Sequence, residues 1–145
     1  MFIVPSTARS WVSVEPTCHF SIQNLPLGLL APAGRNVTLA TAIGEFAVDL
    51  TALREAGLLD VSRAVDLDSF ADFSQEDLSE LRHRIYEIFL DSNPRLRDNE
   101  ILRRGAMEPL SEARMLMPIK PTAFVDFYSG IHHASNVGKM FRPDM

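Results

Sequence analysis

Seventeen residues near the end of the 145-residue chain, Asp126 to Arg142, hold a carboxylate, a phenol, two adjacent histidines, an amide, a lysine and a guanidinium. As reagents they form a coherent set. The carboxylate of Asp126 can give oxygen to a hard cation. A histidine can take up a proton near neutral pH. Tyr128 and Arg142 can hold an oxyanion or a carboxylate. The pair His132–His133 lacks the spacing of a two-histidine transition-metal site, because neighbours on a helix point about 100° apart. Residue types and spacing alone favour an ordinary solvated helix, so the elements around them matter.

Pro118 and Pro121 bracket a boundary, and from Ile119 the character of the chain changes. Ala123–Phe124–Val125–Asp126–Phe127–Tyr128 reads as a strand whose period of two puts Asp126 and Tyr128 on one face. Ser129–Gly130 turns the chain, and Ser129 is the expected cap of a helix through His132, His133, Asn136 and Val137. Further upstream, Val37–Ile43 and Phe46–Leu50 flank Gly44–Glu45, the signature of a tight hairpin. Val37, Leu39 and Ile43 share one face of the first strand and Thr38 lies on the other, so a half-buried sheet is expected. Thr51 to Ala56 predicts a short helix closed by Gly57. Ser74 and Asp77 form an approximate capping box ahead of Leu78, Leu81, Ile85 and Ile88 at helical spacing, with Leu90 near the end and Asn93–Pro94 as the stop. Glu76, Glu80, Arg82, Arg84 and Glu87 fall outside that stripe and read as a solvated face. Asp98 to Arg104 predicts one more short helix, capped near Gly105. Met115–Pro118 reads as a buried strand with methionines filling the core. Cys18–Ile22 alternates weakly, and Asn24–Gly28 is a turn by composition.

Composition bounds what these elements can build. At 46% hydrophobic and 23% charged, with a mean hydropathy of +0.02, the chain is globular and not a disordered tail. Its length suits one domain or one domain plus part of another. No apolar run approaches the roughly 20 residues of a membrane span, and no secretory signal is visible at the start. A single cysteine, Cys18, excludes an intrachain disulfide and fits a reducing compartment, so cytoplasm is expected. Cys18 itself reads as a small buried hydrophobe. The net charge of −5 is uneven: residues 1–91 hold 13 acidic against 6 basic side chains, and residues 92–145 hold 6 against 8. That basic excess is too dilute for a nucleic-acid footprint.

The order of residues in the C-terminal cluster is more specific than its composition. Asp126–Phe127–Tyr128–Ser129, then His133–Ala134–Ser135–Asn136–Val137–Gly138, then Met140–Phe141–Arg142 closely resembles the signature stretch of the fumarylacetoacetase family. Phe20–Gly28, Ala42–Ile43–Gly44, Arg95–Leu96–Arg97–Asp98 and Pro118 resemble the same family in the same order, so the likeness runs from about His19 onward. It implies a mainly β fold with short helices: an SH3-like β-barrel domain over residues 1–118, then the first strand and helix of a catalytic domain over residues 119–145. It implies a homodimeric hydrolase that splits a carbon–carbon bond of 4-fumarylacetoacetate into fumarate and acetoacetate, the last step of tyrosine and phenylalanine breakdown. By position, Asp126 matches a ligand of a calcium or magnesium ion. Tyr128 and Arg142 match substrate-binding residues, and His133 matches the general base that activates water. His132 and Cys18 inherit no role.

The chemistry suits those assignments. Hydrolysis of a β-diketone needs hydroxide at one carbonyl and stabilisation of the departing enolate, which a divalent ion provides. Because the chain stops just past the motif, the remaining metal ligands and the rest of the catalytic domain are expected to lie elsewhere, leaving these 145 residues inactive alone. The alternative is a stand-alone barrel serving as an interaction or regulatory module, with the motif idle. Neither a membrane nor a nucleic acid is an expected partner.

Overall fold

The computed structural model describes residues 2–62, 72–118, 121 and 123–143. The hairpin forms as its sequence predicts. Strand β2 (Thr38–Ile43) pairs antiparallel with β3 (Phe46–Asp49), and Gly44 takes a φ of +55° in the two-residue turn between them. A positive φ at the first turn residue costs glycine nothing. Strand β1 (Leu27–Leu30) adds to the other side of β2, and two short strands complete the sheet: β4 (Met107–Pro109) beside β3, and β5 (Met115–Leu116) beside β1. The strand order is β4-β3-β2-β1-β5, antiparallel throughout.

This sheet cannot be flat. Its two edge strands would stand about 19 Å apart across four strand spacings. Pro109 to Met115 could span only about 20 Å even if fully extended. The connection is not extended, since the amides of Glu112 and Ala113 both donate to the Pro109 carbonyl at 3.0 Å. The sheet therefore curls into a half-barrel, and the strap across its concave face packs Leu110 and Ala113 on Leu30, Ala40 and Ala47. Small side chains at 40 and 47 leave room for the strap.

The opposite face carries the main core. Leu39, Ile43 and Val48 meet Leu50 and Leu53 of helix α1 (Leu50–Glu55) and Leu81, Ile85, Ile88 and Phe89 of helix α2 (Gln75–Phe89). Two short helices, α3 (Pro94–Arg97) and α4 (Glu100–Ala106), lead directly into β4. Their N-caps are Asn93 and Asn99, and the Ser74–Asp77 capping box opens α2 as predicted. Gly57 follows α1 at φ +68°.

Several expectations change. All of β2 is buried, not half of it, because the strap covers the face that alternation assigns to solvent. Residues 18–22 form no strand, and β1 begins at Leu27, inside the stretch that reads as a turn. Phe89, not Leu90, closes the buried stripe of α2, while Leu78 stays 37% exposed. Arg82 is not a solvated charge: its guanidinium donates to the carbonyls of Gln23 and Leu25, tying α2 to the segment before β1. Met115 and Met117 are exposed, and only Met115–Leu116 is strand. Cys18 is half-buried, with its sulfur 3.6 Å from the Gly44 carbonyl oxygen and 3.4 Å from the Phe20 amide.

One buried carboxylate joins the sheet to its helices. Asp49 ends β3 and caps α1 by accepting from the Ala52 amide at 3.0 Å. Its Oδ1 also accepts from Thr38 Oγ1 at 2.8 Å, and its Oδ2 faces Arg35 Nη1 at 3.2 Å. Asp49→Ala removes the cap, worth about 1 kcal/mol, and takes away one acceptor of the buried Thr38 hydroxyl, which keeps Thr51 Oγ1 at 2.7 Å and the Leu39 carbonyl at 3.3 Å, so that this bond costs another 1 kcal/mol or so. Arg35 is half exposed, so its ion pair adds little. Urea unfolding should therefore show a loss of about 2 kcal/mol with an unchanged m-value. Thr41 is the control: its buried hydroxyl has no partner among the described residues, so Thr41→Val should be neutral or stabilising.

Candidate functional site

The sequence-derived site lies on residues 123–143, which behave unlike the rest. Residues 123–128 form no strand, so Asp126 and Tyr128 do not share a sheet face. Ile119 and Lys120, where the domain boundary is expected, lie outside the described residues. Helix α5 (Ile131–Phe141) forms as expected, but its N-cap is Gly130, with no side-chain capping bond from Ser129. None of its residues is buried. Phe124, Val125, Phe127, Tyr128, Ile131, Met140 and Phe141 are all exposed.

Within that segment three of the four candidate residues meet. Asp126 Oδ1 accepts the amide of Tyr128 at 3.2 Å, a local turn that aspartate favours. Tyr128 takes a φ of +47°, a region that non-glycine residues enter at some cost. The result places the Tyr128 ring on the imidazole of His133, with centroids 5.4 Å apart and planes 30° apart. Stacking covers one face of the imidazole and leaves its two edge nitrogens free to accept or donate. His132, one residue earlier, points elsewhere on the helix. Arg142 is not brought to this group. It follows the last residue of α5, nine positions from His133, which is about 13 Å along the axis and half a turn around it.

A calcium or magnesium ion does not fit the residues present. Calcium takes six to eight oxygens. Asp126 is one exposed carboxylate with an oxygen already engaged, and no group of three His, Cys, Asp or Glu side chains that could hold a metal occurs among the described residues. No helix among the described residues is long and apolar enough to cross a membrane.

A curled antiparallel-β module followed by an uncovered helical segment defines the class. The chain belongs to the fumarylacetoacetase N-terminal family, whose model matches residues 23–118. It is 38% identical to a fumarylacetoacetase of Oryza sativa subsp. japonica over 149 aligned positions, covering 94% of this chain and 35% of that protein. It is 35% identical to a fumarylacetoacetase of Arabidopsis thaliana, covering 92% and 34%, and 34% identical to that of Bos taurus with the same coverage. The chain thus spans about a third of the length of the curated relatives it matches. The rice alignment leaves only about 6% of the 145 residues outside it, too few to exclude Asp126, Tyr128 or His133.

The ligand count gives a direct test. Titration of calcium into the 145-residue chain should release no heat of micromolar binding, because one carboxylate cannot replace the ion's hydration shell. Saturable binding that Asp126→Ala removes would overturn this.

Proposed function

We propose that this chain is the N-terminal portion of a fumarylacetoacetase, a hydrolase that cleaves 4-fumarylacetoacetate to fumarate and acetoacetate in tyrosine and phenylalanine breakdown. The observation that carries the reading is the reach of the similarity. The alignment continues past residue 118, where the family model ends, into the segment that holds the reagent set. The end of that model also supports a boundary between a module over residues 1–118, an SH3-like barrel in this reading, and a catalytic part beginning at 119.

In this reading His133 is the general base. Its imidazole takes the proton of the attacking water at an edge nitrogen, while the Tyr128 ring holds its plane. The Tyr128 hydroxyl and the Arg142 guanidinium bind substrate. Arg142 lies beyond the last turn of α5 and so meets a different part of the ligand, such as its carboxylate. Asp126 gives one oxygen to a divalent ion, calcium or magnesium, whose other ligands come from outside these residues. The seven exposed apolar and aromatic side chains of residues 124–141 support the need for further protein. The complete enzyme is a cytoplasmic homodimer in this proposal.

The two histidines separate the assignments. In the complete enzyme His133→Ala should lower turnover by about 10² to 10⁴ while leaving substrate binding largely intact, and His132→Gln should be nearly silent. The measurement is a pair of single mutants assayed for turnover and binding. A dead His132→Gln variant, or wild-type rates in both, would remove His133 from the mechanism.

A further inference from the structure

A second constellation lies outside the segment just described. The start of the chain, the β2–β3 hairpin and the end of α4 meet around a cleft of about 380 Å³, with Trp11, Phe46, Met107, Arg103 and Arg104 in its lining. That volume falls at the lower end of small-molecule sites, about 300–1,000 Å³. Its apolar wall is held in place. The Trp11 amide donates to the Phe89 carbonyl at 3.4 Å and its indole Nε1 to the Ile88 carbonyl at 3.1 Å. The indole also stacks on Phe89 with centroids 5.6 Å apart. With its one polar atom satisfied inward, Trp11 offers the cleft only hydrocarbon. Phe46 stays 36% exposed while the other three residues of β3 are buried. Met107 is half-buried beside them.

The two arginines differ. Arg104 is paired with Glu100, one turn earlier on α4. Arg103 is half-buried and has no carboxylate or carbonyl partner among the described residues. Asp98, which feels its field, is held by Arg97 at 2.8 Å. A guanidinium against an apolar wall, without an anion of its own, selects a carboxylate. The aromatic wall in turn favours a ligand with a hydrocarbon body over a bare anion.

We propose that this cleft binds a small monocarboxylate with an apolar tail, its carboxylate on Arg103 and its tail against Trp11, Phe46 and Met107. The site uses no residue of 123–143 and stands independently of the catalytic reading. Trp11 is the single tryptophan of the chain, so its emission reports the cleft directly. The experiment titrates hexanoate into the 145-residue chain at neutral pH, beside 1-hexanol (tail without charge) and acetate (charge without tail). Hexanoate should change the emission saturably, with both controls weaker by about tenfold or more. Arg103→Gln should weaken hexanoate by at least about tenfold, Arg104→Gln by no more than a few-fold, and added salt should weaken it progressively. Equal binding of hexanol, an unaffected Arg103→Gln variant, or no saturable change would overturn the proposal. So would an emission shift that follows protein concentration without ligand, which would put a second copy of the chain in the cleft. The hexanol and acetate arms decide the question even if the Arg103 variant fails to fold.

Discussion

The Asp49 carboxylate is the constraint on which the other elements depend. It is almost fully buried, and an ionised group there survives only if donors replace its water. Three donors do so, each from a different part of the chain: the Thr38 hydroxyl of β2, the Ala52 amide of α1 and the Arg35 guanidinium of the β1–β2 loop. Because the carboxylate only accepts, the Thr38 proton must point to it. Thr51, 2.7 Å from Thr38, then donates in its turn. Arg35 also reaches the Gly105 carbonyl at the end of α4, so the network extends to the helix that feeds β4. Satisfying one charge thereby sets where the hairpin ends, where α1 begins and how α4 meets the sheet.

Around that network the burial is strongly asymmetric along the chain. The curled sheet is covered on one face by α1 and α2 and on the other by the 110–114 strap, so its central strand is wholly enclosed. Residues 123–143 make no comparable core. Their large apolar side chains face outward, and their order is local: one aspartate-stabilised turn, one stacked ring pair and one isolated helix. A helix of eleven residues is marginal on its own in water, since most helical stability in proteins comes from packing an apolar face. The described residues up to 118 supply both packed cores, and residues 123–143 enter neither.

What the sequence determined by itself is what neighbouring residues decide among themselves. Gly44 suits the first position of a two-residue turn, Ser74 and Asp77 satisfy each other's amides within one helical turn, and Gly57 suits the left-handed step after α1. Each is a short-range steric or hydrogen-bonding choice, legible without the rest of the fold. The reagent set was legible too, as an ordered motif. Tertiary structure decided everything that requires a second segment to arrive. The strap, brought over by the curl, turned a strand read as half-buried into one enclosed on both faces. Carbonyls of Gln23 and Leu25, 59 and 57 residues away, turned Arg82 from a solvated charge into a tie. The Ala123–Tyr128 stretch alternates like a strand but finds no neighbouring strand, and backbone that cannot complete a ladder stays irregular. Met115 and Met117 read as core because they are apolar, yet they lie at and beyond the edge strand β5, where no layer covers them. Hydrophobicity marks which residues can be buried; only the arrival of a covering element decides which ones are.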